Sequence, residues 1–343
     1  MIPLPIDAVL GGLRSLLDGE EVSRAVGGAL GRDDVVLEPR YMRYKPANRA
    51  LVLYDARLAE TRTCAVMTLA LLRNSRKDAR RPASLAIAER ARSRCAVPDP
   101  IVFLESLGAL VEWYPARTSI PGLVADLETL RRDLTRRGAP PGDGEAPELV
   151  SCKPERRAVL KWGDLYLKAY ASPADFEIAA SALGASARIP GVPTPRPVAL
   201  YTADRLTVQT ALPGCVPARA ASQAEIGSLV AKLHAADPGS LPRFVAADHL
   251  DGARRTLAHL KALVPERLPA LERITGRIEP DGLPEPLVPS HGDLHAAQVI
   301  ATRDGPGLVD FDHVCLAEPA YDLATFAAHL VDGASGSLEK AHA

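Results

Sequence analysis

Apolar and polar positions alternate with a period of two through Leu165-Tyr166-Leu167-Lys168-Ala169-Tyr170, which predicts a half-buried strand. Leu110-Val111-Glu112-Trp113-Tyr114-Pro115 and Thr207-Val208-Gln209-Thr210-Ala211-Leu212-Pro213 are two further strand-like runs. Between Ile120 and Arg137 the spacing changes to three or four: Leu123, Leu127, Leu130 and Leu134 fall on one face and predict a helix. Ser172-Pro173-Ala174-Asp175 predicts another helix start, with a Ser cap, a Pro where no N–H is needed, and an acid in the first turn. Near the carboxyl end, apolar Val299-Ile300 and Leu308-Val309 flank Arg303-Asp304-Gly305-Pro306-Gly307, the pattern of a hairpin.

Compared with itself, the chain shows a repeat. Tyr44-Lys45-Pro46-Ala47-Asn48-Arg49-Ala50-Leu51-Val52-Leu53 is answered by Cys152-Lys153-Pro154-Glu155-Arg156-Arg157-Ala158-Val159-Leu160-Lys161. An Ala-rich segment follows each copy, then Val97-Pro98-Asp99-Pro100 in the first and Val192-Pro193-Thr194-Pro195 in the second. The simplest account is a duplicated small lobe. Where the second copy has Lys168, the first has Thr63-Cys64-Ala65-Val66-Met67-Thr68-Leu69-Ala70, without a lysine. The Gly- and Pro-rich run from Arg137 to Pro147 cannot hold regular structure well and predicts the boundary between the copies.

A length of 343 residues allows two or three units with cores of their own. The net charge of -1 removes any electrostatic case for nucleic acid as a partner, and Arg73-Asn74-Ser75-Arg76-Lys77 and Arg80-Arg81 are expected to be solvated surface. The five cysteines have no metal-ligand spacing and an odd count, so a reducing cytoplasm is expected. No segment approaches the roughly 18 apolar residues of a membrane span, and no membrane partner is expected.

The chemistry-bearing stretch is Ser290-His291-Gly292-Asp293-Leu294-His295-Ala296-Ala297-Gln298, followed by Leu308-Val309-Asp310-Phe311-Asp312. Phosphoryl-transfer sites of the kinase type need a loop Asp to orient the attacking hydroxyl and accept its proton. They also need an amide five residues on to help hold a metal ion, and a second Asp, one strand later, to hold Mg²⁺. Asp293, Gln298 and Asp310 match these positions in order and spacing.

These residues resemble the aminoglycoside phosphotransferase-like family of the protein-kinase-like fold. Gly292 after the loop His, Asp312 after the metal-binding Asp, Pro319-Ala320-Tyr321-Asp322-Leu323-Ala324 downstream and Leu229-Val230-Ala231-Lys232-Leu233-His234-Ala235 upstream carry the likeness, which spans roughly Leu149 to Leu330. The resemblance implies an α+β, protein-kinase-like two-lobed fold: a small antiparallel-sheet lobe over residues 149–214 and a mainly helical large lobe over 215–343. Residues 1–145 would precede it as an α+β cap domain, and this extra region resembles that of capped sugar kinases related to the family. The family usually has Asn where Gln298 stands. Gln reaches one methylene further, so the ligand geometry should shift and turnover could be slow or lost.

The resemblance further implies ATP or GTP as donor, Mg²⁺ as cofactor and a small-molecule hydroxyl as acceptor. Asp293 would act on the acceptor, Gln298 and Asp310 on the metal, and Lys168 on the phosphates, with Glu177 as its ion-pair partner and Asp175 as the alternative. No glycine-rich loop precedes Lys168; in its place the basic turn Lys153-Pro154-Glu155-Arg156-Arg157 could meet nucleotide phosphates, with Lys153 and Arg156 as the candidates. Val208-Gln209-Thr210-Ala211-Leu212-Pro213-Gly214 resembles the hinge between lobes, which makes Gln209 and Ala211 candidates to hold a purine. His291 is expected to be structural, and His295, Asp312 and Asp322 to order the loops. The chain ends at Ala343, with Gly333-Ala334-Ser335-Gly336-Ser337 reading as a flexible tail, so the large lobe looks shortened. A sugar, an aminoglycoside or a related metabolite fits as acceptor; a pseudokinase scaffold and a protein-directed phosphotransferase are the alternatives.

Overall fold

The computed structural model describes residues 7, 9–59, 61–70, 78–142, 146–214, 223–237, 239, 241–263, 265–277 and 286–334. The basic cluster 73–77, Cys215 and residues 335–337 of the expected tail lie outside the described residues.

Helix α1 (Gly19–Leu30) begins where the Asp18 side chain accepts the N–H groups of Glu20 and Glu21, and stops at Gly31 in the left-handed region. Strands β1 (Val35–Lys45), β2 (Arg49–Leu58) and β3 (Thr61–Ala70) follow. Helix α2 (Pro82–Ala91), β4 (Ile101–Leu104) and β5 (Ala109–Trp113) complete a five-stranded sheet in the order β1-β2-β3-β5-β4. Its core gathers Leu16, Val22 and Val26 against Leu37, Val52, Tyr54, Met67 and Trp113.

The same plan recurs. After α3 (Leu127–Arg136) come β6 (Glu148–Lys153), β7 (Arg157–Trp162), β8 (Leu165–Tyr170), α4 (Pro173–Ser186), β9 (Pro197–Tyr201) and β10 (Leu206–Thr210), in the sheet order β6-β7-β8-β10-β9. The first hairpin of each sheet closes with the same pairing, Lys45 with Arg49 and Lys153 with Arg157. Corresponding turns also carry a left-handed residue at the same place: Ala47 and Glu155, Ala59 and Gly163, Gly108 and Arg205. The four non-glycine residues among them, Ala47, Glu155, Ala59 and Arg205, thus each have a left-handed counterpart in the other sheet, a backbone demand that side-chain chemistry alone would not impose.

The helix expected over Ile120–Arg137 is divided. Pro121–Val124 form a 3₁₀ turn, Ala125 is extended, and α3 restarts at Asp126, whose carboxylate accepts from Glu128 N and Thr129 N. Pro121 and the Asp126 cap each favour a fresh helix start, and two starts within one apolar stripe break it. Ile120, Leu123, Ala125, Leu130 and Leu134, all before the expected boundary, pack into the core of the second sheet with Leu160, Trp162, Leu165 and Leu167. At about 2 kcal/mol for each fully buried leucine, Leu130 and Leu134 tie α3 firmly to that sheet.

The remaining chain is mainly helical: α5 (Gln223–His234), α6 (Ala246–Leu263), α7 (Leu268–Thr275) and α8 (Ala320–Ala334). Helix α8 runs through Gly333 and Ala334, the first two residues of the expected tail. Two short ribbons lie between these helices. One pairs β11 (Val288–Ser290) with β14 (Cys315–Ala317), and the other pairs β12 (Val299–Thr302) with β13 (Gly305–Leu308). The second is the predicted hairpin, with a turn of only Arg303 and Asp304. Leu294, Val299, Leu308, Phe311 and Val314 share a core with Leu229, Val230 and Leu233 of α5 and Ala182 of α4, so one cluster fixes both chemistry-bearing loops. No described helix is long and apolar enough to cross a membrane.

Candidate active site

The loop after β11 is built around one buried carboxylate. Asp322, fully buried in the first turn of α8, accepts the N–H of His291 at 2.8 Å and of Gly292 at 3.0 Å, and meets His234 Nε2 of α5 at 3.4 Å. Burial alone would push its carboxyl up, but these three bonds outweigh it and hold the group below the usual carboxylate value. Tyr321 donates its hydroxyl to Gly292 O at 3.1 Å. Gly292 has φ +82°, and a Cβ there would stand 2.0 Å from His313 O, so the loop admits only glycine. His291 is buried and kept neutral by burial; its Nε2 donates to Val309 O at 2.9 Å, linking the two loops.

Asp293 follows on this loop, half-buried. Its charge and that of Asp310 both act on the imidazole of His295, against the burial that pushes that ring's pKa down. His295 caps the 3₁₀ turn Ala296–Gln298: its Nδ1 accepts from Ala297 N at 3.3 Å. The neutral ring then carries its proton on Nε2. The Gln298 amide atom placed as Nε2 lies 3.1 Å from that nitrogen and 3.4 Å from Asp310 Oδ2. A protonated Nε2 needs an acceptor, so the amide turns end for end and presents Oε1 there. With the amide so turned, Oε1 would lie beside Asp310 Oδ2, an oxygen pair of the kind a hard cation takes. Asp310 itself sits at φ +65°, in the left-handed region that non-glycine residues seldom occupy.

Opposite these loops, the second sheet supplies two cations. Lys168 Nζ lies 2.6 Å from Asp310 Oδ1 and 2.7 Å from Asp312 Oδ1. Arg157 reaches Asp310 Oδ1 with Nη1 at 3.0 Å and Oδ2 with Nη2 at 2.5 Å, and also bonds Asp312. Tyr170 donates to Asp312 Oδ2 at 3.1 Å. Burial would raise the Asp310 carboxyl pKa, yet Lys168 and Arg157 hold it far below the carboxylate range; the same carboxylates raise the Arg157 pKa against its own burial.

Several expected placements change. The Lys168–Glu177 ion pair is not formed, because α4 turns Phe176, Ala179, Ala182, Leu183 and Ser186 inward and leaves Glu177 exposed; Asp175 is exposed as well. Lys168 is satisfied by Asp310 and Asp312 instead. Lys153 and Arg156 are exposed and line a cavity of about 320 Å³ with Arg157, Tyr170, Arg243, Phe244, Gly292 and Asp312. Of the basic turn and its flank, it is Arg157 that enters the carboxylate cluster. The hinge offers less free edge than expected: β10 lies inside the sheet, Thr210 N donates to Arg196 O at 2.9 Å, and Ala211 N donates to Asp164 O at 2.6 Å. Gln209 is buried and lines a small recess with Thr207, Pro195 and Asp310. A larger cavity, about 1350 Å³, opens between α1 and β1 and is lined by none of the site residues.

Sequence reading included Arg157 only as the last residue of the basic turn, not as a partner of Asp310 and Asp312, and gave Tyr170 no part in the site. The available signal was strand parity: Lys168 and Tyr170 share one face of β8, and the β7 register sets Arg157 directly across from Tyr170.

A family model described as "Phosphotransferase enzyme family" matches residues 150–343. Among solved structures, the chain is similar to a choline/ethanolamine kinase family protein from Mesorhizobium loti, with a TM-score of 0.44, 19% identity, and coverage of 59% of this chain and 69% of that one. It is also similar to a choline kinase from Streptococcus pneumoniae, with a TM-score of 0.41, 13% identity, and coverage of 58% and 73%. A thermostable mutant of an aminoglycoside phosphotransferase, in a ternary complex with ADP and hygromycin B, gives a TM-score of 0.39 and 13% identity over 57% of this chain and 75% of that one. No curated protein sequence matches the chain.

Proposed function

Because this chain belongs to the phosphotransferase enzyme family through residues 150–343, we propose that it moves the γ-phosphoryl group of a Mg²⁺-bound nucleoside triphosphate to a hydroxyl of a small molecule. The observation that carries this reading is the meeting of Lys168 with Asp310 at 2.6 Å across 142 residues of chain. That contact brings a phosphate-binding type of cation and a metal-binding type of carboxylate to one point.

Each residue's part follows from its surroundings. Asp293 orients the acceptor hydroxyl and takes its proton. Asp310 and, with its amide turned, the Gln298 carbonyl oxygen would hold Mg²⁺, a hard cation that oxygen ligands suit. Mg²⁺ supplies charge neutralisation between phosphate oxygens. Lys168 balances phosphate charge, with Lys153 and Arg156 at the rim of the adjoining cavity. Asp322 and Gly292 hold the loop still, so most of the acceleration comes from positioning and charge. We read residues up to about 145 as a degenerate copy of the small lobe that props the catalytic unit; the shared strand order and left-handed turn positions support this.

Titration calorimetry of ATP and GTP, with and without Mg²⁺, tests the reading. Wild type should bind one nucleotide in a Mg²⁺-dependent manner, and Asp310→Ala should abolish the metal dependence. Absence of binding under every condition would refute the assignment.

The balanced charges around Asp310 favour one second reading, a nucleotide-binding scaffold without turnover. Gln298→Asn separates the two. In this backbone the Asn amide would retract from Asp310 by about 1.5 Å, one carbon–carbon bond, so Mg²⁺-dependent transfer should fall severalfold. A rise would mark Gln298 as a weakening residue, and no transfer by either form would favour the scaffold.

A further inference from the structure

Arg157 and Lys168 together match Asp310 and Asp312 charge for charge, with side-chain exposures of 15% and 7% for the cations and 19% and 11% for the acids. The cluster is therefore neutral as it stands. Lys168 is explained by the proposed reaction, whereas Arg157 is not: its guanidinium fork occupies both oxygens of Asp310, the carboxylate assigned to the metal. Lys168 and Arg157 already share Asp310, and a divalent cation entering there would add a third like charge beside the guanidinium, which repulsion disfavours while Arg157 stays on both oxygens.

The displaced guanidinium has a destination. Arg157 also lines the cavity that Lys153 and Arg156 border, and a planar fork suits two phosphate oxygens as well as it suits a carboxylate. Its backbone can stay in place during such a move. The turn before it is clamped from the first sheet, with Glu155 bonded to Arg49 and lying 3.6 Å from Arg43, and Ala171 N binds Arg156 O at 2.8 Å. Only the side chain needs to swing.

We propose that Arg157 is an exchangeable counter-ion, which pairs with Asp310 and Asp312 and passes to the nucleotide phosphates when metal and nucleotide enter together. This rests on the phosphotransferase reading above. It makes metal and nucleotide entry mutually dependent: neither alone fully compensates the charges the other disturbs.

The test compares wild type with Arg157→Gln and Arg157→Lys. Mn²⁺ binding without nucleotide is followed by electron paramagnetic resonance, and Mg·ATP and Mg·GTP binding by calorimetry. Arg157→Gln should bind free Mn²⁺ at least tenfold more tightly than wild type and the preferred Mg·nucleotide at least tenfold more weakly. Arg157→Lys keeps the charge and should stay near wild type for Mn²⁺, with a thermal melt confirming that both variants fold. Opposite shifts in the Gln variant support the exchange. If wild type binds Mg·nucleotide and the Gln variant changes neither affinity, or weakens both, Arg157 is a fixed structural ion pair; the inference then falls and the phosphotransferase reading stands. If no form binds nucleotide, that reading falls, and the exchange falls with it.

Discussion

Asp293→Asn lowers phosphoryl transfer by about 10²- to 10⁴-fold, the usual worth of a positioned general base, while Mg²⁺-dependent nucleotide binding stays near wild type. The separation arises because the cations of the site are spent elsewhere: Lys168 and Arg157 bond Asp310 and Asp312. Among the described residues, no hydrogen bond or ion pair ties the half-buried Asp293 side chain into the fold. Removing its charge should therefore cost no more than about 0.5 kcal/mol of stability, as for substitutions away from packed or paired groups. Single-turnover transfer to an acceptor found by screening hydroxyl compounds, together with a thermal melt, checks both halves. A variant retaining a tenth or more of wild-type transfer would remove Asp293 from proton transfer. A large fall in melting temperature would show that the carboxylate is structural.

The largest stability effect is expected at Asp322. Asp322→Ala leaves the buried N–H groups of His291 and Gly292 without an acceptor. At about 1–3 kcal/mol for each unsatisfied donor, the loss is about 2–6 kcal/mol, a large share of the roughly 5–15 kcal/mol that holds a typical domain together. Asp322→Asn keeps one acceptor oxygen and should lose less. The pH dependence has a definite sign: the folded-state pKa of Asp322 is depressed. Its contribution is thus fully present above the unfolded value of about 4 and fades as pH falls through the lower folded value. Denaturant unfolding from pH 7 to pH 3 should show a constant gap between wild type and Asp322→Asn near neutrality and a shrinking one below about pH 4. A gap that widened on acidification would contradict the assignment of Asp322 as a buried charged acceptor.

Helix and strand signals differed in how far they carried. The alternation through β8 put Lys168 and Tyr170 on one face, but the strand is not the half-buried one expected: every residue except Tyr166 is buried, because both faces of the strand are covered. The apolar stripe from Leu123 to Leu134 identified a buried face correctly but concealed two helix starts, because periodicity records which side is apolar and not where backbone hydrogen bonds stop. Glu177 illustrates the same limit. It lies one residue past Phe176, which on a helix is a rotation of about 100°, enough to carry a carboxylate from the site to solvent.

By itself, the sequence determined the family, the repeat and the order of the two acidic loops. Those features are local: Gly292 next to Asp293, Gln298 five positions on and Asp310 beyond a short hairpin all arise from one continuous stretch, whose spacing a sequence displays directly. Only the tertiary structure decided which cations answer those acids. Arg157 meets Asp310 across 153 residues and Asp312 across 155, and Arg156, its neighbour, lies at the rim instead. That choice depends on strand register, sheet order and the packing of α4 against the Asp310 turn. Opposite charges distant in sequence are paired by the backbone that brings them together, and the packing that sets that backbone is spread over the whole core.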